Sequence, residues 1–261
     1  MPTPSVINQY QYSAAINRRY WDQKYMTDSF QVQPVTSKVG GGAATGTAGD
    51  NNVLFTAFGQ YEWNVIGTQT ILAPALDAFG LNLVQDVTAG DGIELSMGVQ
   101  AIAPFAFLAN GTASTSNPNP SPAFGIFMNI KVATVAGGNP LIVGFRSLGA
   151  FNATLTAYAN YAAIGLVGGA GDIQTVTQLA SGGQVTTDTT QNGVNGAEHA
   201  FAVLVDASGN VTYRYNYAAP TVTVAYRFPA DTTVVPFIRF VEGASTTTQA
   251  SVNRLSVGFQ S

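Results

Sequence analysis

The chain has 261 residues, no cysteine and a formal net charge of -4 at pH 7. Only 9% of its residues are charged, against about 25% in a typical globular protein, while 46% are hydrophobic. The hydrophobic content excludes a disordered chain, and an acidic balance with three lysines argues against nucleic acid or an anionic membrane as a partner.

So few charges leave a surface built from Thr, Ser, Asn, Gln, Gly and Ala, with little electrostatic repulsion between copies. The composition therefore predicts a member of an assembly, a homo-oligomer with a trimer as one candidate. Residues 1–12 lack the basic start and apolar stretch of a signal peptide, which predicts synthesis in a host cytoplasm. No run of about 18 apolar residues is present that would predict a membrane span.

Residues 1–50 predict an extended N-terminal arm, because their Gly-rich and polar sequence offers no core. If extended, fifty residues span on the order of 165 Å. The charged residues of the arm sum to +1, too little to neutralise a packaged genome, so the arm predicts protein partners. Aromatic side chains of the kind enriched in interfaces are its candidate partner-binding residues: Tyr10, Tyr12, Tyr20, Trp21, Tyr25 and Phe30. The alternative is an unstructured terminus.

Residues 51–261 predict a single β body, since hydrophobic residues alternate with polar ones over many short segments. Residues 93–99 predict a half-buried strand, with Glu94 and Ser96 on the face opposite Ile93 and Leu95. The same alternation predicts strands over 124–132, 151–157 and 255–259. Two glycine-containing segments, 206–210 and 168–172, predict the turns between strands.

The last third of the chain carries a family resemblance. Residues 199–217, HAFAVLVDASGNVTYRYNY, predict a hairpin, and residues 231–245, DTTVVPFIRFVEGAS, predict a strand with a Val-Pro-Phe entry. Residues 252–260, VNRLSVGFQ, predict a closing strand, and residues 123–147 predict paired central strands. This order resembles the concanavalin A-like lectin/glucanase domain, also found in bacteriophage head decoration and cement proteins. The resemblance implies an all-β fold, an antiparallel β-sandwich jelly roll, over residues 60–260.

The active residues of that family do not carry over. Its glucanases use a Glu-x-Asp-x-x-Glu strand, because retaining hydrolysis needs two carboxylates about 5 Å apart. The glutamates of this chain stand at none of those spacings: Glu62, Glu94, Glu198 and Glu242. The Glu-x-Asp metal strand of legume-type lectins is also absent from the sequence. We therefore expect no catalytic residues, no cofactor and no metal site.

Other candidates for chemistry have simpler structural interpretations. His199, the only histidine, stands in an alternating strand and is expected to be structural. Tyr213, Tyr215 and Tyr217 share one strand face, which favours packing between the sheets over an exposed sugar platform. Four loop aspartates are more typical of turn caps than of calcium ligands: Asp172, Asp188, Asp206 and Asp231.

These observations together predict a structural virion protein, most favourably a bacteriophage capsid decoration or cement protein, and not an enzyme. Its expected partner is a major capsid protein, and its expected location is the capsid surface. A carbohydrate-binding or receptor-binding module, such as an adhesin or tail-fibre domain, is the alternative. A glycoside hydrolase is the third hypothesis.

Overall fold

The computed structural model describes residues 26–28, 35–38, 51–55, 60–67, 75–83, 88–99, 103–112, 122–135, 140–168, 171–180, 182–243 and 250–260. These residues form strands joined by turns, with one short 3₁₀ helix at Leu155–Ala157. No helix in this part of the chain has the length and apolar character to cross a membrane.

The strands number 18 in the described residues, in chain order β1 Met26–Asp28, β2 Val35–Lys38, β3 Asn51–Phe55, β4 Gln60–Ile66, β5 Ala75–Leu76, β6 Leu81–Asn82, β7 Gly92–Val99, β8 Ala103–Pro104, β9 Phe107–Ala109, β10 Phe124–Val132, β11 Leu141–Ser147, β12 Tyr161–Leu166, β13 Asp172–Gln178, β14 Val185–Asn192, β15 Glu198–Val205, β16 Val211–Tyr215, β17 Thr232–Val241 and β18 Ala250–Phe259.

All of the paired strands run antiparallel in two sheets. The smaller sheet has seven strands in the order β16-β15-β10-β18-β6-β5, with β1 also paired to β18. The larger has 11 strands in the order β14-β13-β12-β11-β17-β7-β4-β3-β2, with β8 on β7 and β9 on β17. The predicted all-β, antiparallel jelly-roll sandwich is thereby confirmed.

The main core lies between the two sheets and is fixed by aromatic rings. Phe107 stacks on Phe124 of the smaller sheet at 4.6 Å between ring centroids. Phe145 of the larger sheet meets Phe124 edge-on at 4.9 Å. Such pairs contribute about 0.5–1.5 kcal/mol each beyond the burial of their area. The alternation predicted over 124–132 is confirmed in β10, where Ile126 and Met128 are buried in this core.

A second, smaller cluster is buried on the opposite face of the larger sheet: Ile142, Tyr158, Tyr161, Ala163, Val176 and Phe237. The middle of this sheet is therefore buried on both faces, which explains the nearly continuous apolar sequences of β11 and β17. It also corrects the prediction of a half-buried strand over 93–99. Glu94 and Ser96 of β7 are as buried as the apolar residues that alternate with them.

The predicted hairpin at 206–210 is confirmed between β15 and β16. Gly209 has φ +82°, which an L side chain rarely adopts, and its amide donates to the carbonyl of Asp206 at 2.9 Å. Between β12 and β13, the amide of Gly171 donates to the carbonyl of Gly168 at 3.0 Å, and Gly171 has φ +85°.

The strand predicted over 151–157 is wrong. Residues 151–152 have no regular structure, residues 153–154 form a bend, and the short helix Leu155–Ala157 follows. Backbone carbonyls of this segment accept from side chains of β13 and β17, Thr156 from Gln178 and Asn152 from Arg239, instead of from a strand partner. Local alternation was weak here, and these tertiary contacts override it.

Two parts of residues 1–50 join the sheets. Strand β1 pairs with β18, with Thr27 opposite Ser256, and β2 pairs with β3, with Ser37 opposite Val53. The division into an arm of residues 1–50 and a body of residues 51–261 stays a prediction.

Candidate functional site

A buried carboxylate lies at the middle of the larger sheet, on the face turned away from the main core. Glu94 of β7 stands opposite Asn64 of β4 on one side and Arg239 of β17 on the other. Its Oε1 atom accepts from Nε of Arg146 at 2.8 Å and lies 2.8 Å from Nη2 of the same guanidinium. Its Oε2 atom accepts from Nη1 of Arg239 at 3.0 Å. Two positive charges thus neutralise one buried negative charge.

Tyr158 completes this arrangement, which we call the Glu94 cluster: Glu94, Arg146, Tyr158 and Arg239. The Tyr158 hydroxyl donates to Oε1 of Glu94 at 2.9 Å. The guanidinium carbon of Arg146 lies 4.0 Å from the centre of the Tyr158 ring, a cation–π contact. Burial, followed by the charge of Glu94, raises the pKa of Tyr158, so the hydroxyl stays protonated and serves as a donor.

Residues 148–160, the cover segment, lie over the Glu94 cluster. The carbonyls of Asn152 and Ala153 accept from the Arg239 guanidinium, the first at 3.2 Å. The side-chain amide of Gln178 donates to the carbonyls of Thr156 and Tyr158 at 3.0 and 2.9 Å. The segment is therefore tied to the sheet by polar contacts on both sides of its short helix. A substrate cannot reach Glu94 while these contacts hold.

A second glutamate, Glu62 of β4, shares this face. It stands opposite Ser96, two residues from Glu94 along the neighbouring strand, and is also buried. Diagonal neighbours of this kind lie about 7–8 Å apart. The pair has the residue types of acid–base hydrolysis. However, Glu94 is paired with two guanidinium groups and buried under the cover segment, which suits a structural carboxylate.

The roles of Arg146, Arg239 and Tyr158 were not predicted from the sequence. The two arginines could have been recognised from the sequence, because each interrupts a strongly apolar strand. Arg146 lies in LIVGFRS and Arg239 in TTVVPFIRFV. A charge inside such a strand has to be paired when both faces are covered. Tyr158 carried no comparable signal, since it follows a segment that was predicted as a strand.

An open groove lies on the outer face of the smaller sheet, and we call it the Tyr217 groove. Its volume is about 360 Å³. Small or apolar side chains of β15 form part of the floor, and two aromatic and two basic residues surround them: Phe127, Ala202, Leu204, Arg214, Tyr217 and Arg254. The alternation of β16 predicts Tyr217 in the core with Tyr213 and Tyr215. Only those two are buried, whereas Tyr217 is 70% exposed.

The reason is a change of chain direction after Tyr215. Residues 215–218 form a tight turn, so Tyr217 no longer follows the alternation of β16. Its ring lies on the outer face, stacked on Phe127 at 5.7 Å between centroids.

The expected structural role of His199 is confirmed. Its Nδ1 atom lies 2.9 Å from the hydroxyl of Tyr215, and Nε2 lies 3.2 Å from the carbonyl of Val194. A carbonyl can only accept, so Nε2 carries the proton and Nδ1 accepts from Tyr215. Burial lowers the pKa of His199, which keeps the ring neutral.

Of the four aspartates predicted to lie in turns, Asp172 begins β13 and Asp188 lies within β14. Asp231 accepts from the amide and the hydroxyl of Thr112 at 2.9 and 2.8 Å, a contact between distant segments of the chain. Asp206 accepts from the amides of Ser208 and Asn210, and Asp188 accepts from the amide of Thr190. Across the described ranges, no group of three or more His, Asp or Glu side chains is arranged to hold a metal ion. The six aromatic residues predicted to bind partners, from Tyr10 to Phe30, lie outside the described residues, and their role stays a prediction.

Comparison with known proteins shows solved structures with a similar architecture. No protein-family model matches the chain, and no curated protein sequence does. Similar solved structures include an alginate lyase from Pseudomonas aeruginosa, with 14% identity, a TM-score of 0.44 and coverage of 80% of this chain and 86% of that one. A Bacillus licheniformis β-glucanase has 12% identity, a TM-score of 0.45 and coverage of 90% and 98%.

A protein of unknown function from Shewanella oneidensis has 12% identity, a TM-score of 0.49 and coverage of 88% of both chains. The neighbours include concanavalin A-like lectin and glucanase jelly rolls. At these identities and TM-scores, none of the likenesses bears on the activity of this chain. Its fold class rests on its own two sheets.

Proposed function

We propose that this protein is a non-catalytic structural protein of a bacteriophage virion, a decoration or cement protein on the outside of the capsid. The observation that carries the proposal is the state of Glu94. In the described residues it is fully buried, paired with Arg146 and Arg239, and covered by residues 148–160. A carboxylate held in this way contributes to the fold and is not available to attack or protonate a sugar.

The scarcity of charge supports the assembly part of the proposal. With 9% charged residues, the chain has little to repel copies of itself or a neutral partner surface. Stability of the particle would then come from buried interface area. The proposed partner is the major capsid protein, the proposed state is a homo-oligomer, and the protein would be made in the host cytoplasm before joining the virion.

The N-terminal arm contains a segment whose role in capsid binding can be tested. Residues 1–25 precede β1, the first strand of the described residues, and they contain five of the six predicted partner-binding aromatics. We expect the full chain to sediment with capsids that lack it, and a chain without residues 1–25 to remain in the supernatant. Undiminished sedimentation of the shortened chain would contradict the arm's role. Glycan hydrolysis by the full chain that Glu94→Gln abolishes would contradict the non-catalytic assignment.

A further inference from the structure

We propose that the Tyr217 groove binds an acidic saccharide, a sugar chain that carries carboxylate groups. This adds a ligand-binding activity to the proposed structural role and does not depend on it. The groove lies on the smaller sheet, whereas the Glu94 cluster lies on the larger one. The two features can therefore be tested separately.

Charge is the first reason. The chain contains only 10 Lys and Arg residues, and two of them, Arg214 and Arg254, line this groove. Their hydrogen bonds go to neutral groups: Arg214 Nη1 to the carbonyl of Tyr217 at 3.4 Å and Arg254 Nε to the hydroxyl of Ser256 at 3.2 Å. Within the described residues neither guanidinium has a carboxylate partner. Their remaining donors form the planar forks that match carboxylates.

Spacing is the second reason. Arg214 stands on β16 and Arg254 on β18, with β15 and β10 between them. Three inter-strand steps separate the two backbones by about 14 Å. Phe127 of β10 lies between them, and the Arg254 guanidinium is 5.8 Å from its ring centre. An elongated ligand with anionic groups along its length fits this arrangement better than a compact anion does.

The aromatic surface is the third reason. The ring of Tyr217 is stacked on that of Phe127, with 24° between the ring planes, and Tyr217 is still 70% exposed, so the pair presents an aromatic surface at the groove. Sugar rings present C–H groups on their faces, and these pack favourably on the negative face of an aromatic ring. The cross-strand neighbours of Phe127 are small, Ala202 on one side and Ser256 on the other, so no large side chain stands directly beside its ring.

The backbone of Tyr217 is the fourth reason. Residues 215–218 form a two-residue hairpin turn, closed by hydrogen bonds of 2.9 and 3.0 Å between Tyr215 and Ala218. Both central residues have positive φ, +46° at Asn216 and +69° at Tyr217. Turns of this kind favour Asn-Gly, and a bulky residue at positive φ is strained. A tyrosine here has a cost to folding that is best explained by a role on the exposed face.

Single-stranded nucleic acid would also use aromatic rings and basic side chains. It fits less well, because the chain is acidic overall and offers only two cations at the groove. An acidic peptide would meet the charge requirement but would not need the exposed ring of Tyr217. Both are outcomes of the test.

The experiment is calorimetric titration of the full chain with tetragalacturonate, a tetrasaccharide with one carboxylate per ring, and with neutral maltotetraose. We expect the acidic sugar to bind and the neutral one to bind at least about tenfold more weakly, as loss of charge-assisted hydrogen bonds implies. Arg214→Gln or Arg254→Gln should each weaken binding of tetragalacturonate by about tenfold for the same reason.

The matched control is Lys131→Gln, which removes one positive charge from an exposed site on the same strand as Phe127. It should change the affinity less than twofold. Tyr217→Gly should abolish binding while leaving the melting temperature unchanged or higher, since glycine suits the turn.

Several results would overturn the proposal. They are equal binding of the two sugars, equal weakening by Lys131→Gln, and full binding by Tyr217→Gly. A single-stranded oligonucleotide or a polyglutamate peptide that bound the groove more tightly than the sugar would also overturn it. So would loss of capsid binding in Tyr217→Gly, because the groove would then be a protein interface.

Discussion

Among single residues, Glu94 has the largest expected effect on stability. It pairs with both Arg146 and Arg239, and all three side chains are buried. We expect Glu94→Gln to lower the free energy of unfolding by about 3–5 kcal/mol, because two buried guanidinium groups lose their counter-charge. Urea denaturation of the full chain measures this change.

The control for that prediction is Glu198→Gln, at the exposed first residue of β15. It also removes a glutamate charge but should change stability by no more than about 0.5 kcal/mol. If the two variants were equally stable, Glu94 would not be the counter-charge that the geometry indicates.

His199 makes stability depend on pH near neutrality. Burial lowers its pKa in the folded state, while the unfolded value is about 6.5. The unfolded chain therefore takes up the proton more readily, so stability should be constant above pH 7.5 and fall as the pH is lowered to 5.5. This is the only histidine of the chain, so the slope can be assigned to it.

Denaturation midpoints at several pH values should show this slope in the unaltered chain and a much flatter profile in His199→Gln. The same slope in both proteins would show that another group titrates. The hydroxyl of Tyr215, which donates to His199, is unsuited to that role because burial raises its pKa above the usual value.

The positions of Glu94 and Tyr217 show what the sequence alone did not predict. The alternation around Glu94 identified its face correctly but could not reveal that the cover segment buries that face. The alternation of Tyr213, Tyr215 and Tyr217 failed at the last residue, because the hairpin turn reverses the chain before Tyr217. In both cases the deciding contact comes from a different segment or from the turn itself.

At the scale of elements, the cover segment buries the outer face of the larger sheet although it contains no strand. It closes the outer face of the larger sheet through Tyr158 and through carbonyls that bind Arg239. Strands such as β10 and the β15–β16 hairpin were predictable, because period-two alternation and a turn glycine determine them locally. The cover segment was not, since its conformation depends on partners more than 60 residues away in sequence, such as Glu94.

The two N-terminal strands yield a prediction about truncation. Strand β1 pairs with β18 and β2 with β3, so both contribute backbone hydrogen bonds to the sheets. Removal of residues 1–25 should leave the melting temperature unchanged, whereas removal of residues 1–50 should lower it by several degrees. Thermal denaturation monitored by circular dichroism measures both.

The shorter truncation is the matched control for the longer one. Equal melting temperatures of the full chain and both truncated chains would show that β1 and β2 add nothing to the stability of the body. A loss of stability on removing only residues 1–25 would show that this segment is part of the folded body and not a free binding arm.

At the scale of the whole molecule, the described body buries Glu94 beneath the cover segment, and the chain carries few charges. The larger sheet is closed by its own cover segment, and the smaller sheet presents the Tyr217 groove. The fold class could be predicted from the sequence because the alternation of hydrophobic and polar residues recurs in many segments of residues 51–261. Function did not, because it depends on which faces remain open after folding.

The most direct measurement is low-resolution electron microscopy of capsids with and without this protein. The account predicts added density of a two-sheet body at symmetry-related positions on the outer surface of the shell, absent when residues 1–25 are deleted. Identical particles in both preparations, or added density confined to the tail, would contradict it.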